Sequence, residues 1–339
     1  MTARIKRSVL RLSIPLKEPF VTSTGVVSER ELLLLRLEAS DGTVGHGEAA
    51  PFEPYDGVPL EQAAAALTGG GGRRPPQARA AEEIARLDLH ARQEDRPLAE
   101  PRMDALPVNM TLAAGPPEEV AERARAGLRD GYACFKLKVG LPDDPDRVAA
   151  VREAIGPWPA LRVDANGAWT VDEAVHAIRG IEGHDLELVE QPCRTLEECV
   201  AVRRHTTLPM VLDEIILDVP SLLRAVSANA LEAFNLKLSR VGGLTNARLM
   251  RDLAQELGLR VTLEDTWGGD VTSAAVAHLA ASTRPEHLLT VSFMNDWTNE
   301  HIAGHQPRSQ AGFGSAPTAP GLGIDVDVEA LGAPLFVAA

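Results

Sequence analysis

Short apolar runs alternate with amphipathic stretches along most of this chain, and from residue 106 onward the alternation is regular. Runs of strand length fall at 107–112, 134–139, 161–164, 186–190, 210–213, 233–238, 260–263 and 288–293. Between them, segments such as 117–130, 171–180, 196–204 and 244–256 carry apolar residues at helical spacing. A strand-then-helix unit repeated at roughly 25-residue intervals predicts an α/β fold in which a parallel sheet closes into a barrel. An open doubly wound sheet is the alternative. It normally carries a glycine-rich first turn, and no GxGxxG follows any strand here.

The first 60 residues read differently. Ser8 to Leu16 alternates polar with apolar, Glu31 to Leu37 is an apolar strand, and Ser40-Asp41-Gly42 is a turn before a second strand at 43–48. Residues 61–98 have helical period, interrupted by Gly69–Gly72 and by the pair Pro75-Pro76. The segment 300–339 is rich in Gly and Pro and is expected to return onto the N-terminal region.

Composition narrows the class. Hydrophobic residues make up 45% of the 339, an ordinary globular proportion. No apolar run approaches the roughly 20 residues that span a bilayer. The basic N-terminus alternates like a strand and lacks the apolar centre of a signal peptide. Cys134, Cys193 and Cys199 form neither a disulfide set nor a CxxC knuckle, so a cytoplasmic location is expected. A formal net charge of −14 argues against nucleic acid or an anionic membrane as partner.

In a β/α barrel the reacting groups stand at the C-terminal ends of the strands. The second strand ends Lys136-Leu137-Lys138, with the two lysines on one face. The third ends Asp164-Ala165-Asn166, the fourth in Glu190, the fifth in Asp213-Glu214, and the sixth reads Asn235-Leu236-Lys237. Asp164, Glu190 and Asp213 thus close three consecutive strands. Three carboxylates at one mouth repel one another unless a cation lies between them. Oxygen donors in this number suit Mg²⁺, with Mn²⁺ as the alternative. Separate helix caps or arginine pairs would explain one such acid more easily than three. Lys138 and Lys237 are four strands apart in a ring of eight and must face each other across these acids. Burial beside a metal should depress their pKa values and suit them to general acid and base roles.

The motifs KLK at 136–138, DANGAW at 164–169, EQP at 190–192, DE at 213–214 and NLK at 235–237 together resemble the muconate-lactonizing branch of the enolase superfamily. The resemblance implies a modified TIM barrel, (β/α)7β, over 106–299, with an α+β capping domain over 1–105 completed by 300–339. It implies Asp164, Glu190 and Asp213 as metal ligands and Lys138 and Lys237 as the acid/base pair, a use of Lys with Mg²⁺ already known for the superfamily. It further implies that Lys136 lowers the pKa of Lys138 and helps bind carboxylate, and that Glu214 orients Lys237 from outside the metal sphere, where Asn166 and Asn235 also lie. Ile215 departs from the small polar residue of many relatives.

Within that branch the stretch Glu264-Asp265-Thr266-Trp267-Gly268-Gly269-Asp270 is similar to members acting on hydroxyproline betaine or cis-3-hydroxyproline. The Asp-x-Asp typical of dipeptide epimerases is missing from 292–297. Asp265 and the rings of Trp297 and Tyr55 are the candidates to surround a cationic nitrogen, and Trp267 and Asp270 are further candidates for substrate binding. The resemblance therefore implies an enzyme that takes the α-proton from a small carboxylate. The leading expectation is a racemase or epimerase of a proline-type derivative. Dehydration of a hydroxyproline follows, then dipeptide epimerase, N-acylamino-acid racemase, o-succinylbenzoate synthase or muconate cycloisomerase activity. A barrel that has lost its chemistry is the reading of another class. A homo-oligomer is expected.

Overall fold

The computed structural model describes residues 5–22, 25–328 and 332–338. Its N-terminal layer is an antiparallel sheet of β1 (Lys6–Thr22), β2 (Gly25–Glu38) and β3 (Val44–Ala49), with Val9 opposite Leu35 and Leu34 opposite Glu48. The turn before β3 has Gly42 at φ 84°, and Asp41 Oδ1 accepts from the Thr43 amide at 2.9 Å. Leu32 to Leu35 are all buried because the sheet is covered on both sides. Leu33 and Leu35 pack on the helical layer, while Leu32 and Leu34 join the core shared with the barrel. A doubly covered strand needs no polar alternation, hence the run of four leucines. The tip residues 23 and 24 lie outside the described residues.

Three helices follow: α1 (Glu53–Asp56), α2 (Leu60–Leu67) and α3 (Pro76–Gln93), the last opening with proline at its first position. Helix α3 rides directly on β3. A Cβ built on Gly47 would lie 1.9 Å from the Ala81 carbonyl oxygen, and one on Gly45 2.2 Å from that of Ala85.

After β4 (Leu106–Pro107) come the eight strands of one parallel sheet, β5 (Met110–Leu112), β6 (Cys134–Lys138), β7 (Ala160–Asp164), β8 (Leu188–Glu190), β9 (Met210–Leu212), β10 (Ala233–Lys237), β11 (Arg260–Glu264) and β12 (Leu288–Val291). Seven helices connect them: α4 (Pro117–Arg129), α5 (Asp144–Ile155), α6 (Val171–Ile181), α7 (Leu196–Arg203), α8 (Val219–Ser227), α9 (Leu244–Glu256) and α10 (Asp270–Ala281). Strand order follows sequence order, and a parallel bridge between Val108 and Val291 links the first strand to the last. The result is (β/α)7β. The expected strand at 107–112 is divided because Val108 turns its amide to Gly312 and bridges Val291. Asp213 lies one residue beyond β9, its amide donating to the Gln191 side chain rather than to a strand.

The chain then returns across the N-terminal layer. β13 (Phe313–Gly314) pairs with β4, and β14 (Phe336–Ala338) pairs with β1, Phe336 opposite Val9. Residues 329–331 and 339 of this return lie outside the described residues.

Candidate active site

Register brings the functional ends level. Lys138 pairs with Asp164 across β6 and β7, and Asp164 with Glu190 across β7 and β8. On β6 Phe135 and Leu137 are buried in the core, which leaves Lys136 and Lys138 on the other face; Phe234 and Leu236 do the same for Asn235 and Lys237 on β10. Asp164 and Asp213 are fully buried and Glu190 nearly so.

These groups form one charged cluster. Lys136 Nζ lies 2.7 Å from Glu190 Oε1 and 3.0 Å from Asp164 Oδ2. Lys138 Nζ lies 2.7 Å from Asp164 Oδ2 and donates to Asn166 Oδ1 at 2.8 Å. Lys237 Nζ is 2.5 Å from Asp213 Oδ2 and 3.3 Å from Glu264 Oε1. Burial alone would raise the Asp164 carboxyl, but Lys136 and Lys138 outweigh it and hold it below the usual carboxylate range. Asp213 is held down in the same way by Arg240 and Lys237 against burial. Glu190 is pushed up to about 8 by burial and by the neighbouring Asp164 charge.

A depressed pKa is expected for Lys138 and Lys237 beside a metal; for Lys237, and likewise for Lys136, the carboxylates by themselves act the other way. Burial would lower both, but Asp164 and Glu190 raise Lys136 well above its ordinary value, and Asp213 raises Lys237. Among the described residues no three His, Cys, Asp or Glu side chains are gathered tightly enough to enclose an ion, since Lys136 and Lys237 lie against the acids. The donor set still fits a hard divalent cation. It is all oxygen and buried, and the Asp164 charge adds to burial in pushing Glu190 up.

Above the cluster lies a cavity of about 280 Å³, roofed by Val27, Phe52, Pro54 and Tyr55 from the N-terminal layer and walled by Thr266, Trp267, Met294 and Trp297. Lys136, Lys138, Lys237, Asn166, Glu214, Glu264 and Asp265 also face it. Trp267 and Trp297 meet edge to face with centroids 6.5 Å apart, and Trp267 has φ 135°, a conformation rare outside glycine. The Asp265 carboxylate accepts from the Ser239 amide at 3.1 Å, from the Ser239 hydroxyl and from the Thr266 amide at 2.7 Å, and burial pushes its pKa up.

Two expected placements are corrected. Asp270 does not face the cavity. As the first residue of α10 it turns toward the C-terminal return, accepting from Asn295 Nδ2 at 2.8 Å and the Ala303 amide at 2.7 Å. Glu214 acts on Lys237 only through its charge, without a hydrogen bond or ion pair; its Oε1 accepts from Asn166 Nδ2 at 2.9 Å and so braces Lys138 through Asn166. Tyr55 lines the cavity, with Lys237 Nζ 4.7 Å and the Arg240 guanidinium 5.3 Å from its ring centroid, both cations bonded to its hydroxyl. Asn235 lies beneath the floor, donating to Glu264 Oε1 at 2.7 Å and Glu190 Oε1 at 3.2 Å.

Two further residues, to which the sequence reading gives no role, join the cluster. Glu264 ends the seventh strand as the other acids end theirs, and the same strand-end rule finds it. Arg240 lies in a loop, and no spacing signals its contact with Asp213.

Residues 119–331 match the Enolase C-terminal domain-like family. The cis-3-hydroxy-L-proline dehydratase of Roseibium aggregatum is 38% identical over 76% of this chain and 72% of its own length. The L-Ala-D/L-Glu epimerase of Clostridium acetobutylicum is 30% identical over 80% of this chain and 85% of its own. A crystal structure of an enolase-superfamily member from Roseovarius nubinhibens, complexed with magnesium, superposes with a TM-score of 0.89 at 26% identity, covering 99% of this chain and all of that one (100%). No helix among the described residues is long and apolar enough to cross a membrane. A barrel with lysines and carboxylates at these strand ends, and relatives that are racemases, epimerases and a dehydratase, place the chain in the enolase superfamily, in its muconate-lactonizing branch, whose members characteristically take an α-proton from a carboxylate substrate with Mg²⁺.

Proposed function

We propose that this protein moves the α-proton of a small amino-acid carboxylate between two lysines, and that its principal reaction is racemisation or epimerisation of a proline-type derivative with a cationic nitrogen. The observation that carries this reading is the position of Lys138 and Lys237. They stand on β6 and β10, four strands apart in the ring of eight, and open into the same cavity of about 280 Å³. One lysine can take a proton from one face of a carbon and the other can return it to the opposite face. Asn166, braced by Glu214, orients Lys138, while Asp213, Glu264 and the Tyr55 hydroxyl orient Lys237. Lys136, between Asp164 and Glu190, is placed to meet the substrate carboxylate.

Asp164, Glu190 and Asp213 would hold the cation, Mg²⁺ with Mn²⁺ as the alternative. When bound it would stabilise the negative charge that builds on the substrate carboxylate as the α-proton leaves. The cavity is at the small end of ligand pockets, which run from about 300 to 1,000 Å³, and this favours a single amino-acid unit over a dipeptide. Asp265, Trp267 and Trp297 share one wall, and each ring contributes about 0.5–2 kcal/mol toward a cationic nitrogen. Dehydration of a hydroxyproline is the second reading, favoured by the similarity to the Roseibium enzyme.

In D₂O with a panel of proline-type acids, α-deuterium exchange without loss of water is the expected result. A ketone- or imine-forming product would favour dehydration instead. Lys138→Ala and Lys237→Ala should each abolish interconversion of the two epimers while keeping the fold. Unchanged interconversion in either would end the two-lysine reading.

The same reading includes a capping domain over 1–105 with 300–339, supported by the β14–β1 pairing, and a barrel over 106–299. It also includes a homo-oligomer, supported by exposed Leu217, Leu223, Leu249 and Leu257 around α8 and α9. The three cysteines, free and buried, are consistent with a reducing cytoplasm.

A further inference from the structure

Three residues past Lys237, a buried cation grips one of the candidate ligands from behind. Arg240 is only 8% exposed. Its Nη1 donates to Asp213 Oδ1 at 2.6 Å and to the Asp213 carbonyl oxygen at 2.8 Å. Its Nη2 donates to the Tyr55 hydroxyl at 2.7 Å. Tyr55 belongs to α1 in the N-terminal layer, and its hydroxyl in turn donates to Asp213 Oδ2 at 2.9 Å and accepts from Lys237 at 2.8 Å. One hydrogen-bonded set therefore joins the roof to the ends of β9 and β10.

The loop after β10 is folded back to make this reach. The amides of Val241 and Gly243 donate to the carbonyls of Lys237 and Leu238 at 3.3 and 3.1 Å, and Gly242 and Gly243 take φ of 90° and 128°. A positive charge this close to a metal ligand works against cation binding by Coulomb repulsion. It is useful there only if geometry outweighs charge.

We propose that Arg240 is a positioning residue that turns Asp213 Oδ1 away from the cavity, leaves Oδ2 facing Lys237, and ties the seating of the roof to that orientation through Tyr55. This inference rests on the reading that Asp213 holds the divalent cation.

Charge and position predict opposite signs, which makes the test decisive. Mg²⁺ affinity is measured by calorimetry on the full chain for wild type, Arg240→Gln, Arg240→Lys and Asp213→Asn. Loss of a nearby cation alone would tighten Mg²⁺ binding in Arg240→Gln. Positioning instead weakens it by about 10- to 100-fold, with Arg240→Lys, which keeps the charge and part of the grip, in between. Hydrogen exchange at residues 52–58 supplies a readout that needs no metal, because the Tyr55 and Asp56 amides both donate to the Phe52 carbonyl at 2.8 Å. Exchange there should quicken in Arg240→Gln and in Tyr55→Phe alike. Tighter or unchanged Mg²⁺ binding in Arg240→Gln, or unchanged exchange at 52–58 in both variants, overturns the clasp alone if Asp213→Asn has lost Mg²⁺ affinity. Wild-type Mg²⁺ affinity in Asp213→Asn would overturn the metal assignment, and the clasp with it.

Discussion

Glu48 shows how one side chain can couple two layers. It leaves β3 and buries its carboxylate at the start of α10, where Oε1 accepts from the Gly269 amide at 2.6 Å and the Thr272 hydroxyl at 2.8 Å, while Oε2 has no hydrogen-bond partner. Burial pushes its carboxyl up to about 7 from an ordinary 4.5, the amide and hydroxyl recovering only part of that rise. Across this window the folded chain binds the proton that the unfolded chain has released. Stability therefore falls as pH rises from near 4.5 through 7, by about 3 kcal/mol from this group. Glu48→Gln removes the titration. In thermal melts between pH 5 and pH 8 the variant should lose less stability than wild type, and equal losses would mean that the buried carboxyl is not the source.

At the level of elements, the contact between β3 and α3 depends on missing atoms. Gly45 and Gly47 let the sheet approach a helix face built from Ala78, Ala81 and Ala85 until backbone meets backbone. Gly47→Ala places a methyl group against the Ala81 carbonyl and should cost about 3 kcal/mol, read as a lowered urea midpoint. Such contacts explain what was legible in the sequence and what was not. The alternation of Lys136-Leu137-Lys138 and Asn235-Leu236-Lys237 shows which side chains share a face, because strand geometry is local. The strand-end rule also brings Asp164, Glu190 and Asp213 to one rim. Asp270 was misread because a loop after a strand and the first turn of the next helix look alike in sequence, and only the docking of Asn295 and Ala303 decides where that side chain points. The Tyr55–Arg240 contact joins residues 185 positions apart, and no local pattern encodes it.

For the whole molecule, the floor and the roof of the cavity are drawn from different parts of the chain. The charged floor comes from β6 to β11, whereas Val27, Phe52 and Tyr55 arrive from the antiparallel layer. Apart from Tyr55, whose hydroxyl reaches Lys237 and Asp213, the roof can change without disturbing the lysines and carboxylates of the floor, as expected for a scaffold whose relatives act on different molecules.

The balance of charge on that floor also sets an order of events. With Glu190 pushed up to about 8 and set aside, Asp164, Asp213, Glu214, Glu264 and Asp265 still outnumber Lys136, Lys138, Lys237 and Arg240. An incoming carboxylate meets excess negative charge unless a divalent cation has preceded it. Addition should therefore be sequential, metal before acid. Calorimetric titration of the acid in EDTA should give no heat of binding, and its apparent KM should fall as Mg²⁺ is raised. Binding of equal strength in EDTA would show that the two arrive independently.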